Sequence, residues 1–127
     1  MSMSIATATI SIKDNKECIT INENGSLIIT DYLNELISDN FVEKMFYEEG
    51  KDEYEEIFHK VVENNHIERI SNNLFSAESE LFEEYFKSKA LIDKDKIAQK
   101  LENISDIKSL FIKYLISKEK DAIIVIN

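Results

Sequence analysis

The chain has 127 residues, of which 43% are hydrophobic and 31% charged, and its formal net charge is −10. That length suits a single domain over 1–127, and that hydrophobic fraction excludes wholesale disorder. No apolar run approaches a membrane span, no basic residue precedes the apolar N-terminal stretch as in a secretory signal, and Gly25 and Gly50, without any proline, leave no Gly-rich phosphate loop.

Residues 4–30 read as a three-stranded antiparallel meander. Asn24-Gly25 is the strongest hairpin signal, because a type I′ turn needs positive φ at both central residues. A two-residue turn there sets Ile21 opposite Ile28. Asp14-Asn15 serves the preceding hairpin and sets Ile10 opposite Ile19 and Ile12 opposite Glu17. Both registers put Ala6, Ala8, Ile10, Ile12, Ile19, Ile21 and Ile28 on one face, expected to pack on helices. Thr7, Thr9, Ser11, Cys18, Thr20 and Asn22 take the other, mostly wet face, with Ile5, Leu27 and Ile29 as apolar exceptions.

From Asp31 the period becomes helical. Thr30 or Asp31 caps a segment with Leu33, Leu36 and Ile37 inward, and a second segment carries Val42, Met45 and Phe46 to a C-terminal stop at Gly50. Tyr54, Ile57, Phe58, Val61 and Val62 recur at i, i+3, i+4, i+7 and i+8, which predicts a further helix. After a polar break at Ser71-Asn72-Asn73, another helix carries Leu74, Phe75, Leu81, Phe82, Tyr85 and Phe86 as core. Asp93 and Ser105 cap two last helices, and Ala122–Ile126 returns to the sheet. The expected fold class is α+β: an N-terminal antiparallel β-meander plus a C-terminal strand, packed against four to six short helices.

The charge is uneven. Residues 1–42 carry −4, residues 43–84 carry −9 and residues 85–127 carry +3. The densest acidic stretch is Glu48, Glu49, Asp52, Glu53, Glu55 and Glu56, flanked by Tyr47 and Tyr54. Such a field repels nucleic acid and anionic lipid and draws a basic partner from a distance. Tyr47 suits a contact surface, where a ring supplies area and the acids steer; Tyr54 is expected to begin the buried stripe of its helix.

Catalytic and metal readings find little support. Glu56/His59 and Glu63/His66 have the Glu-x-x-His spacing of helical di-iron sites. On a helical wheel, however, all four fall on the side opposite the apolar stripe, so no metal or other cofactor is expected. Cys18, in a strand beside Glu17, lacks the positive surroundings that activate a thiol. As the only cysteine it excludes an internal disulfide and points to a reducing, cytoplasmic setting. No serine lies in a G-x-S-x-G elbow, and the single arginine, Arg69, leaves little for bidentate anion recognition.

These features point away from an enzyme and toward a small acidic binding protein. The leading expectation is an immunity protein or antitoxin that neutralises a basic toxin domain through Tyr47, Glu48, Glu49, Asp52, Glu53, Glu55 and Glu56. Toxins that cut nucleic acid present a cationic cleft, for which an acidic plug competes. The alternatives are a nucleic-acid mimic blocking a defence nuclease and an acidic secretion chaperone or adaptor.

Overall fold

The computed structural model describes residues 3–49, 54–117 and 121–127. Six strands and three α-helices follow in the order β1 (Met3–Lys13), β2 (Lys16–Ile21), a 3-10 turn (Glu23–Gly25), β3 (Leu27–Ile29), α1 (Asp31–Ile37), β4 (Val42–Glu49), β5 (Tyr54–Val62), α2 (Asn64–Lys87), α3 (Leu91–Ile116) and β6 (Ala122–Ile126). The fold is α+β, with three α-helices among the described residues instead of the expected four to six.

The first hairpin is as the sequence indicates. Asp14 and Asn15 both have positive φ, 52° and 63°, the backbone that a type I′ turn requires. Ile10 pairs with Ile19 and Ile12 with Glu17. The second hairpin does not form. Gly25 has no positive φ, and Glu23–Gly25 make a 3-10 turn instead. Ala8 pairs with Ile21 and Ile5 with Leu27, so six steps along the second strand are set against three along β1. The turn absorbs the three-residue excess, as an enlarged bulge would. β2 and β3 thus form one interrupted strand on the same edge of β1, while β6 takes the other edge.

The strand pairings close on themselves. β1 pairs with β2, β2 runs parallel to β4 through Cys18 and Tyr47, β4 pairs with β5, β5 with β6, and β6 with β1. The result is a small five-stranded barrel with β3 lying outside the ring. The helices predicted to carry Val42, Met45 and Phe46 and to run from Tyr54 to Val62 are instead strands β4 and β5; Gly50, expected to end the first, lies outside the described residues.

Closure reassigns the two faces of the meander. The division of residues between faces is as read from the sequence, but the helices cover the opposite one. Ala8, Ile10, Ile19 and Ile21 turn into the barrel and pack with Phe46, Val61 and Val125. Ile5, Leu27 and Ile29, the exceptions on the supposedly wet face, pack with Val62, Ile124 and Ile126 of the sheet and with all three helices. Ile12, near the hairpin tip, and Ile28, on β3 outside the ring, stay exposed at 74% and 70%.

Thr30 caps α1, its Oγ1 accepting from the Leu33 N–H at 3.3 Å. α2 runs straight through Ser71-Asn72-Asn73, because Ile67, Ile70, Leu74, Ala77 and Leu81 keep one buried stripe in phase across it. Packing of that stripe outweighs the low helix propensity of Ser and Asn. The two segments expected after Asp93 and Ser105 merge into α3, with Ile104, Ile107 and Phe111 buried. Phe75, Phe82 and Phe86 are not core, but remain 66%, 48% and 77% exposed. β6 joins the barrel between β1 and β5.

Candidate functional site

The acidic stretch lies on the β4–β5 hairpin rather than on a helix. A strand sends successive side chains to opposite sides, so the carboxylates divide between two surfaces. Glu48 stands directly opposite Glu55, on the side of Phe46 and Ile57. Tyr47 stands opposite Glu56 on the other, outward side. Glu49 pairs through its backbone with Tyr54, while Asp52 and Glu53 lie outside the described residues.

On the first side, the barrel opens into a hollow of about 490 Å³ lined by Ile19, Ile21, Glu23, Glu48, Ile57 and His59. Two carboxylates, Glu23 and Glu48, thus share the hollow with Ile19, Ile21 and Ile57, and Glu55 lies beside them across the strand pair. Glu23 belongs to the interrupting turn between β2 and β3, and only the closure of the ring brings it here. Like charges directly opposed across a strand pair are destabilising, so the Glu48/Glu55 pair is a cost to the free fold.

On the outward side, Lys16 from β2 places its ammonium 5.6 Å from the Tyr47 ring centroid and 5.2 Å from that of Tyr54. The Tyr54 hydroxyl donates to Asp14 Oδ2 at 2.7 Å, tying the hairpin to the β1–β2 turn. Tyr54 does not begin a buried helical stripe; it is half-buried on the same outward side as Tyr47. The two rings flank a cation that the chain itself supplies, which is favourable where a ring face meets an ammonium.

The Glu/His spacings resolve differently. Glu56 and His59 occupy β5 at odd separation and so project to opposite sides, with His59 on the Phe46 side, ring centroids 6.0 Å apart. Glu63 and His66 form a capping box at the start of α2: the Glu63 side chain accepts from the His66 backbone N–H, and the Glu63 backbone N–H donates to His66 Nδ1 at 3.1 Å. Their i, i+3 spacing therefore satisfies backbone donors rather than a metal. His66 is buried, contrary to the exposed position read from a helical wheel. Glu63 is also paired with Lys44 at 3.2 Å. Among the described residues, no three His, Cys, Asp or Glu side chains converge to hold a metal ion. His66→Ala should lower the unfolding free energy by about 1–2 kcal/mol through loss of the cap and of buried contact, measured by denaturant titration.

A second hollow, about 420 Å³, lies between α3 and the barrel, with Thr7, Asn22, Asp106, Lys113, Tyr114 and Ala122 on its walls. Sequence reading gives no sign of it, because its walls come from four separate segments. Cys18 is buried, its thiol directed to the Lys16 carbonyl at 3.8 Å. No helix among the described residues is long and apolar enough to cross a membrane. Comparison of the chain with protein-family models, with curated proteins and with solved structures finds no match.

Proposed function

We propose that the protein acts by binding rather than by catalysis, using the β4–β5 hairpin to occupy a basic surface on another protein. The favoured form of this reading is an inhibitor, an immunity protein or antitoxin, whose target carries a cationic cleft such as that of a domain that cuts nucleic acid. The hairpin and its connection, residues 42–62, carry seven acids and three lysines, −4 of the chain's −10. A field of that sign accelerates the approach of a cationic surface and repels nucleic acid itself.

The observation that carries the reading is the direct opposition of Glu48 and Glu55 beside the hollow at the barrel mouth. A lysine or arginine from a partner, placed between the two carboxylates, would convert a repulsion in the free protein into an attraction in the complex. Tyr47 and Glu56 on the outward side extend the contact, and the Lys16 ammonium over the tyrosine rings marks the place where a partner cation would compete.

Stability and binding should then respond in opposite directions. Glu48→Gln with Glu55→Gln should raise the unfolding free energy by roughly 0.2–1 kcal/mol. The same variant should slow association with the basic protein recovered by wild-type chain in a pull-down from its native host, and wild-type association itself should weaken as salt is added. Equal association rates for variant and wild type at low salt would remove the hairpin from recognition.

A further inference from the structure

The two long helices extend beyond the core they serve. α2 has 24 residues and α3 has 26, so each spans nearly 40 Å at about 1.5 Å per residue. Burial in α2 ends at Leu81, and in α3 full burial begins only at Ile104. The helix ends next to the connection at Ser88 to Ala90 form an antiparallel arm whose outer part projects, while Ile97 and Leu101 at its base pack half-buried against the core and Lys100 lies 4.8 Å from the Tyr32 ring centroid.

The arm presents apolar surface. Phe82 is 48% exposed, Phe86 77%, Leu91 74% and Ile92 65%. Phe75, Phe82 and Phe86 fall within about 40° of one another around α2, so they form one stripe along the helix. The arm is also locally ordered: the Tyr85 and Phe86 rings meet edge to face at 5.5 Å, and the Lys94 ammonium lies 5.1 Å from the Tyr85 centroid.

Its charge is the feature that selects an occupant. Residues 80–100 hold five acids (Glu80, Glu83, Glu84, Asp93 and Asp95) and five lysines (Lys87, Lys89, Lys94, Lys96 and Lys100), so this stretch is neutral in a chain of −10. Two copies approaching through any acidic surface repel each other. Through the arm they meet neutral, mixed-sign surfaces, in which the glutamates of one α2 can face the lysines of the other copy. A two-fold interface must be self-complementary, and mixed signs around an apolar centre meet that condition. The area is also sufficient: Phe75, Phe82, Phe86, Leu91 and Ile92 together expose on the order of 600 Å² of apolar side chain, and with their polar rim approach the ~800 Å² per partner of a standard interface.

We propose that the arm is a self-association surface, and that two copies of the chain pair through Phe82, Phe86, Leu91 and Ile92, with Phe75 at the border, so that their α2–α3 arms form a four-helix bundle. The inference is independent of the acidic hairpin and uses none of its residues.

Sedimentation equilibrium of the full chain tests it. Wild type should dimerise at micromolar concentration, with a dissociation constant little changed by salt. Phe82→Ser with Phe86→Ser should raise that constant at least ~100-fold, as expected when two central aromatic anchors are lost. Because both side chains lie outside the buried core, the variant should keep the wild-type circular dichroism spectrum. A second variant, Leu91→Lys, keeps every aromatic residue and should weaken the dimer in the same direction. A wild type that sediments as a monomer throughout would overturn the proposal. So would a dimer that survives both variants, or one lost only on Ile112→Ser with Leu115→Ser, which alters exposed residues outside the arm.

Discussion

Phe46→Ala should lower the unfolding free energy by about 3–5 kcal/mol, the usual cost of removing a phenyl group from a close-packed interior. Phe75→Ala, at low protein concentration, should change it by less than about 0.5 kcal/mol. Phe46 is 2% exposed and is the one large aromatic residue in the barrel cluster, where Ala8, Val61 and Val125 are too small to close over the space it leaves. Phe75 is 66% exposed on the stripe of α2. Denaturant midpoints of the two variants check the whole assignment of inside and outside. Similar losses for both would mean that α2 is rotated about its axis from the orientation described.

Val125→Asp should be more damaging still, with a loss above about 4 kcal/mol. Val125 is fully buried, paired with Ala6 on one side and Val61 on the other, and packs with Ala8 and Phe46 in the barrel cluster. Domains of this size hold roughly 5–15 kcal/mol in reserve, so little folded protein should remain at physiological temperature. Far-ultraviolet circular dichroism and a urea titration measure the loss. A variant that unfolds cooperatively at the wild-type midpoint would show that the barrel interior admits water.

Which parts of this architecture were legible in the sequence follows from how local their causes are. The β1–β2 hairpin was readable because Asp14-Asn15 meets a requirement for positive φ that few residue pairs meet. Thr30 was readable as a cap because the bond it makes reaches only three residues along the chain. β5 reads as a helix for a definite reason: Tyr54, Ile57, Phe58, Val61 and Val62 match a helical period. In the barrel, Ile57 and Val61 face inward while Val62 packs under the helices and Tyr54 and Phe58 lie on the outward side. A strand apolar on both sides has no clean alternation, and His59 on the inner side blurs it further. The β-branched run Val61-Val62 was the available counter-signal. The candidate site suffered from the same error. The acidic residues are evident in the sequence, but their separation into a Glu48/Glu55 side and a Tyr47/Glu56 side depends on a strand, and Glu23 joins them only through contacts remote in sequence. The exposed phenylalanines of α2 read as core in the sequence because helical spacing alone does not say which of two stripes is buried.

The position of β6 has a kinetic consequence. Ile126 pairs with Ile5, and Val125 with Ala6, across almost the whole length of the chain. Contacts so distant are slow to form, because a long loop must be closed before they return any free energy. The α2–α3 hairpin, by contrast, is built from neighbours in sequence and can assemble early. During synthesis, β1 and β5 each wait with a bare hydrogen-bonding edge until β6 has been made, an interval in which unpaired strands invite association with other chains. Refolding should therefore show a fast helical phase followed by a slower phase in which Phe46, at the centre of the barrel, becomes protected.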